Sequence, residues 1–559
     1  MKHRILAVSS AAALFSITTI VLLAQQHLPA NAYNPGIHPV TPESVEAEKI
    51  AEDAWFAHLQ VLASDDLKGR KTGTDDFIRA VEYVESQYKA IGLKPAGVDG
   101  YRQPVGFHSA TVDAEHSSLE LVQADQQVKA LKIETEATLI PNDAGAVSVD
   151  APAVFAGYGL VVPSLGVDDL KGLDVKGKVA VIFGASPAAV HGRLKAYFRT
   201  AAIRWQSLKA AGAIGLITIP EPRPQPVGGP QRTGGPGQSN NPITQLSDPA
   251  LNPLQGTRLN ATVPIASAAT LFAGSPHTFD ELQDLKKEGK QLPEFPLAVK
   301  IRAMTTTEVP ATFQSPNVVG LLEGSDSKLK HQYLVLSAHL DHLGVGRAID
   351  GDSIYNGAMD NAAGIASLIE TAKTLAKGPR PKRSIIFLAF TGEEEGELGS
   401  QFYAHYPTVP RFQIVADLNM DMYLPLFPLH FLEVQGLGES TLGNDARAAA
   451  QLNDIEVQFD KQPDENRFIR SDQASFVKYG IPGLAFKFGW LPDTPEQKTF
   501  NDWIHNRYHH PNDDLNQPID REAAVHFDRV LLTLATRVAD APAKPEWYPE
   551  SFFTTIPRR

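Results

Sequence analysis

Tyr333-Leu334-Val335-Leu336-Ser337-Ala338 is an apolar run that leads straight into His339-Leu340-Asp341-His342. The run has the length of a buried strand, and the residues after it are of metal-ligand type. Two more stretches repeat the arrangement. Ser384–Phe390 leads into Thr391-Gly392-Glu393-Glu394-Glu395, and Ile414–Leu418 leads into Asn419-Met420-Asp421. Gly483–Phe488 is a further apolar run. Between the first two runs, Asn361 to Lys377 reads as a helix with Ile365, Leu368, Ile369, Ala372 and Leu375 inward, and Met359-Asp360 opens it. Strands alternating with helices predict an α/β fold, a mostly parallel central sheet flanked by helices. Ligand sites of such sheets lie beyond the carboxyl ends of the strands. Separate strands therefore bring His339, Glu393, Glu394 and Asp421 to one rim.

Working outward, Tyr508-His509-His510-Pro511 adds histidines from a late loop. His505, His509 and His510 lie close together, and the residues alone do not choose among them. Each motif has a plainer reading in isolation. Glu393–Glu397 is a solvated acidic loop, since glutamate is mostly exposed. Asp360 is a helix cap, and Asp421 satisfies backbone at a strand end. Their joint occurrence at a sheet rim is what points to metal chemistry. Metal ions held close together need a carboxylate between them and terminal His or carboxylate ligands outside. Such ions acidify a shared water and stabilise charge on a peptide carbonyl. A carboxylate that is not a ligand must still take the water's proton and pass it to the leaving amine. Adjacent glutamates can divide those tasks. The spacing leaves the number of ions open.

The 559 residues are too many for one ordinary domain. Hydrophobic residues make up 43% and charged residues 21%, ordinary for a globular protein. A net charge of −13 argues against a nucleic-acid partner. There is no cysteine, so disulfides and thiolate ligands are excluded and any metal must be held by His, Asp or Glu. Lys2, His3 and Arg4 precede an apolar stretch from Ile5 to Ala24, and Ala30-Asn31-Ala32 fits a cleavage site. Residues 1–32 are accordingly expected to be a signal peptide and the chain exported, periplasmic or secreted. An uncleaved stretch of that length would instead anchor it.

Residues 51–91 read as helical, with Gly92 a C-cap. Residues 101–145 alternate as strands. Residues 146–300 change character: Val179–Phe183 and Gly215–Ile219 are short strands around a helix from about Tyr197 to Ala211, a small βαβ-like module. The Pro/Gly-rich run 220–242 reads as a surface loop.

The ordered set resembles the two-zinc aminopeptidase family that also includes glutamate carboxypeptidase and the transferrin receptor. The resemblance rests on Ala338-His339-Leu340-Asp341-His342, Met359-Asp360-Asn361-Ala362-Ala363-Gly364, Phe390-Thr391-Gly392-Glu393-Glu394, Asn419-Met420-Asp421-Met422 and Tyr508-His509-His510-Pro511. Leu67–Thr74 is similar to the segment ahead of such a core. The 146–300 module looks like a protease-associated domain inserted into the peptidase, between an N-terminal part at 33–145 and a catalytic part at 301–559. The resemblance implies two zinc ions. His339 and Asp421 would be terminal ligands of one, Glu394 and His509 of the other, with Asp360 between them. Glu393 would be the general base and acid, Asp341 would orient the His339 ring, and Tyr508 would donate a hydrogen bond to the tetrahedral intermediate. Met359 and Ala363 depart from the family pattern without removing a ligand.

Three functions compete. The first is an aminopeptidase acting on peptide N-termini. The second is a carboxypeptidase, for which Arg467 and Arg470 could hold a free carboxylate. The third is a non-catalytic binding protein on the same fold. Retention of all the ligand positions and of Glu393 favours an enzyme.

Overall fold

The long strand Phe295–Leu322 ties the molecule together, because its two halves belong to different sheets. The computed structural model describes residues 42–142, 145–190, 194–221, 242–462 and 467–555. The apolar N-terminal stretch and nearly all of the 220–242 run lie outside them. Residues Glu46–Arg559 form one compact unit. No helix among the described residues is long and apolar enough to cross a membrane.

Strands Ser384–Phe390, Tyr333–His339, Ile414–Asn419 and Gly483–Phe488 lie side by side in that order, all parallel. They are buried on both faces, which is why they read as continuous apolar runs. Leu334, Leu336, Ile385 and Phe387 enter one core; Val335, Ile386, Leu388 and Phe390 enter the other. Helices Asp75–Ile91, Ala363–Lys377 and Arg521–Asp540 supply the first core, and Leu398–His405 and Gln473–Val477 cover the second. Asp75–Ile91 starts on the Thr74 hydroxyl, which accepts from Phe77 N, and stops at Gly92, whose φ of 86° ends the helix.

Outward from the parallel strands the pairing becomes antiparallel. Phe295–Leu322 runs against Ser384–Phe390 on one side, and Phe431–Gln435 against Gly483–Phe488 on the other. The expected α/β sheet flanked by helices is present: it is parallel through the strands that carry the candidate site and again between Phe431–Gln435 and Glu456–Gln458, with antiparallel pairings on either side of the central strands. Helix–strand alternation reveals crossover-linked strands and is silent about the rest.

The second sheet contains Ala146–Phe155, Val179–Phe183, Gly215–Ile219 and Leu259–Thr262 in parallel order. The expected helix from Tyr197 is two, Leu194–Arg199 and Ala201–Ala210. Thr200 separates them in an extended conformation, its hydroxyl donating to the Tyr197 carbonyl. Ser118–Val122 and Thr138–Leu139, upstream of residue 146, also pair within this sheet. Ile243–Leu246, inside the 146–300 range, pairs instead with Arg102–Val112 of the first sheet. Contacts between distant strands, which local pattern does not carry, draw that boundary.

Candidate metal centre

The chain order reverses at Tyr333–His339: the next parallel strand, Ser384–Phe390, lies on one side of it and the following one, Ile414–Asn419, on the other. That divergence opens a crevice at the carboxyl ends. His339 is the last residue of its strand, Glu393 and Glu394 follow Phe390 across Gly392 at φ 67°, and Asp421 lies just beyond Asn419.

Asp360 joins the parts. It sits in an irregular turn, Ala358–Ala362, at φ −117° and ψ 83°, ahead of helix Ala363–Lys377 and not capping it. Its Oδ1 lies 3.2 Å from His339 Nε2, and its Oδ2 lies 3.4 Å from His509 Nε2. His339 Nε2 is also 3.3 Å from Asp421 Oδ1, and His509 Nε2 is 3.1 Å from Glu394 Oε2. The residues thus form two donor sets sharing one carboxylate. His339, Asp360 and Asp421 come close enough to hold an ion, as do His339, Glu393 and Glu394, and also His342, Asp360 and Glu394. The His339 side chain is 1% exposed and that of His509 36%, so the centre opens to solvent on the His509 side.

Of the neighbouring histidines, His505 Nδ1 faces the Asn501 carbonyl on its own helix. His510 is the residue after His509 but makes no ion pair with the site carboxylates among the described residues. His509, held at φ 58° with the Tyr508 ring centred 3.9 Å from its own and tilted by 31°, faces the carboxylates. Tyr508 lies within electrostatic reach of Asp360 and Glu394, and burial raises its hydroxyl well above the usual tyrosine value. Arg470 is exposed, and Arg467 lies over the Phe500 ring and donates to Gln462.

Electrostatics separate the two glutamates. Burial pushes the Glu394 carboxyl up, but His509 and His342 outweigh it and hold it down at about 2. Glu393 is raised well above the usual range by desolvation and by Asp421 and Glu394. One is held ionised, as a ligand is; the other binds a proton more tightly than an ordinary glutamate. Burial opposes charge on His509, yet Glu394 and Asp360 raise it to about 10. The His339 imidazole is raised in the same way, by Glu393, Asp360 and Asp421 against burial.

Asp341 departs from expectation. The His339 ring is held by the Asp341 main-chain carbonyl, 3.1 Å from Nδ1, while the nearer carboxylate oxygen is 4.0 Å away. The Asp341 carboxylate accepts from Glu393 N and Glu394 N instead, at 3.2 and 3.3 Å. It orients the glutamates rather than the imidazole, because the chain turns back toward them directly after the strand.

Four supporting residues escaped the sequence reading. His342 Nδ1 lies 2.6 Å from Glu394 Oε1, leaving Oε2 for the other side. Asp513 accepts Met359 N and Asp360 N, both at 3.0 Å, and so fixes the turn that carries the shared carboxylate. Thr72 Oγ1 accepts from Gly392 N. The Arg70 guanidinium, 1% exposed, donates to the carbonyls of Leu62, Leu340, Asn356 and Gly357. Signals existed in the second histidine of His339-Leu340-Asp341-His342 and the Gly69-Arg70-Lys71-Thr72 run, but their partners are distant in sequence.

The donor set suits a metal. Asp360, Glu394 and Asp421 pair, among the described residues, only with histidines. Three carboxylates crowded against neutral imidazoles need positive charge, and the raised histidines take it up as protons where a cation could supply it. Nitrogen and oxygen donors without sulfur suit zinc and similar divalent ions.

Residues 317–535 match the model of peptidase family M28. Carboxypeptidase Q of Xenopus laevis is 34% identical over 116 residues, 20% of this chain and 22% of that protein. A probable lipoprotein aminopeptidase, LpqL, of Mycobacterium tuberculosis is 28% identical over 247 residues, 41% of this chain and 45% of that protein. The chain spans less than half the length of the curated relatives it matches. Among solved structures, an aminopeptidase from Aneurinibacillus sp. strain AM-1 aligns with a TM-score of 0.47 and 19% identity, over 88% of this chain and 95% of that one. The matched segment, residues 317–535, holds the shared Asp360 and both donor sets around it, and it is this segment that is similar to peptidase family M28.

Proposed function

We propose that the protein is an exported two-zinc aminopeptidase that releases N-terminal residues from peptides. The sharing of Asp360 between His339 and His509 carries the reading, since one carboxylate with an imidazole at each oxygen suits a pair of ions. His339 and Asp421 would hold one zinc, and Glu394 and His509 the other. Bound zinc supplies Lewis-acid polarisation of the peptide carbonyl and acidifies water. Glu393 takes the attacking water's proton and delivers it to the leaving amine nitrogen; its raised proton affinity suits both tasks. Tyr508 lies near enough to the carboxylates to donate to the oxygen developing on the substrate carbon.

Asp472 favours the amino end. It is fully buried beside the Ser400 hydroxyl and lies in the electrostatic range of His339, Asp421 and Glu397. Buried acids crowded together beside the metal-type residues suit a substrate ammonium better than a carboxylate. The exposed position of Arg470 weakens the carboxypeptidase alternative. Export is supported by the basic, apolar and Ala-x-Ala order of residues 1–32, and the 146–300 module is read as a protease-associated domain. A panel of free and N-blocked peptides, run with metal analysis of the same sample, tests the reading. Two zinc ions per chain, loss of cleavage on exhaustive chelation and no cleavage of blocked peptides are expected. Cleavage that depends on a free C-terminus, or that survives chelation, would sink it.

A further inference from the structure

The sheet beside Asp421 has one apolar face and one polar face. Leu418, Leu432, Val434, Leu484, Phe486 and Phe488 point into the main core. The alternate positions form cross-strand rows. Asn419 lies beside Ala485 and Ala485 beside Gln435; two residues on, Lys487 lies beside Glu433 and Glu433 beside Gln458. Paired residues on adjacent strands share a face, so Gln435, Glu433, Gln458 and Lys487 look the same way as Asn419. Arg467–Val477 covers that face, with Asn419 donating to Ser471 Oγ and Gln473 Oε1.

These polar groups are buried and incompletely satisfied. Exposures are 4% for Glu433, 2% for Gln435, 8% for Gln458 and 7% for Lys487. Glu433 Oε1, Gln435 Nε2 and Gln458 Oε1 have no hydrogen-bond partner. Lys487 Nζ donates to the carbonyl of Met422, the residue after Asp421, so the row abuts the metal centre. Buried polar groups left unpaired are costly, and a cluster of them marks a place where something else completes the bonding.

We propose that Glu433, Gln435, Gln458 and Lys487 line the side-chain subsite of the metal centre, and that this subsite selects a carboxamide side chain, glutamine or asparagine. The inference rests on the aminopeptidase reading. The open groups include acceptors, Glu433 Oε1 and Gln458 Oε1, and donors, Gln435 Nε2 and the remaining Lys487 hydrogens. A carboxamide offers both a carbonyl and an NH2 to them. A cationic side chain would meet Lys487, an anionic one would meet Glu433, and an apolar one would leave every group unpaired.

Aminoacyl-4-nitroanilides of glutamine, asparagine, leucine, glutamate and lysine test this with the full-length zinc enzyme and with Lys487→Met and Gln435→Leu. The wild type should show its highest kcat/KM on glutamine or asparagine. Each variant should lower the glutamine-to-leucine ratio by about tenfold, the effect of one unpaired buried group. Free glutamine should compete with substrate better than free leucine, and less so in the variants. An enzyme that cleaves leucine faster than glutamine keeps the aminopeptidase reading and overturns the subsite. Variants that depress all substrates alike also overturn it, because that outcome marks a structural network. An enzyme that cleaves none of the panel overturns the aminopeptidase reading and the subsite with it.

Discussion

Glu393 and Glu394 are neighbours with opposite electrostatics. Glu394 faces His342 and His509 and is held ionised; burial, Asp421 and Glu394 make Glu393 bind a proton more tightly, against the pull of His339. The chain turns at Gly392, and successive side chains diverge from there. Glu393→Gln should therefore retain the metal content of the wild type while losing turnover by about 10²–10⁴, the usual worth of positioned proton transfer. Metal analysis beside steady-state rates checks it. A variant that lost zinc in parallel with activity would make Glu393 a ligand instead, an arrangement the His339–Glu393–Glu394 grouping could accommodate.

At the scale of elements, the site depends on loops tied to each other rather than to their own strands. Arg70 bonds four carbonyls from three segments, including Leu340 beside the metal-type residues and Gly357 ahead of Asp360. Burial lowers its proton affinity, to about 10, but leaves it charged. Arg70→Met keeps much of the volume and leaves those carbonyls unpaired. It should cost about 3 kcal/mol or more in urea unfolding, since each orphaned buried polar group costs about 1–3 kcal/mol. It should also weaken zinc binding, because the His339–Asp341 and Asn356–Asp360 segments lose their common anchor. Unchanged stability would mean that water replaces the guanidinium.

At the scale of the molecule, buried carboxyls away from the centre set a pH dependence. Asp528, in helix Arg521–Asp540, is pushed up to about 8 by burial. The folded protein then binds a proton that the unfolded chain, with an ordinary aspartate, has released. Stability from this group falls as pH rises from the ordinary carboxylate range to about 8, and levels off above. Asp528→Asn stays neutral throughout, so its melting temperature should decline less over that window than that of the wild type. Thermal scans of chelated protein check this without metal-linked protons. Parallel slopes would show that Asp528 ionises in the folded state without cost.

Much of the parallel core was legible because buried strands and an amphipathic helix write themselves as local periodicities: Ser384–Phe390 and Gly483–Phe488 lie where the apolar runs end. Residue types also marked the candidate ligands, since a cysteine-free chain with His and carboxylates at strand ends has few other uses for them. What the sequence determined by itself was therefore the strand–helix order and the pool of donors. Tertiary structure alone decided which donors meet. Asp360 reaches both His339 and His509 only because Asp513, more than 150 residues away, fixes its turn. The carboxylate of Asp341 turns to Glu393 and Glu394, and Phe295–Leu322 joins two sheets, for the same reason: contacts between segments distant along the chain carry no local signature, and their geometry exists only once the chain has packed.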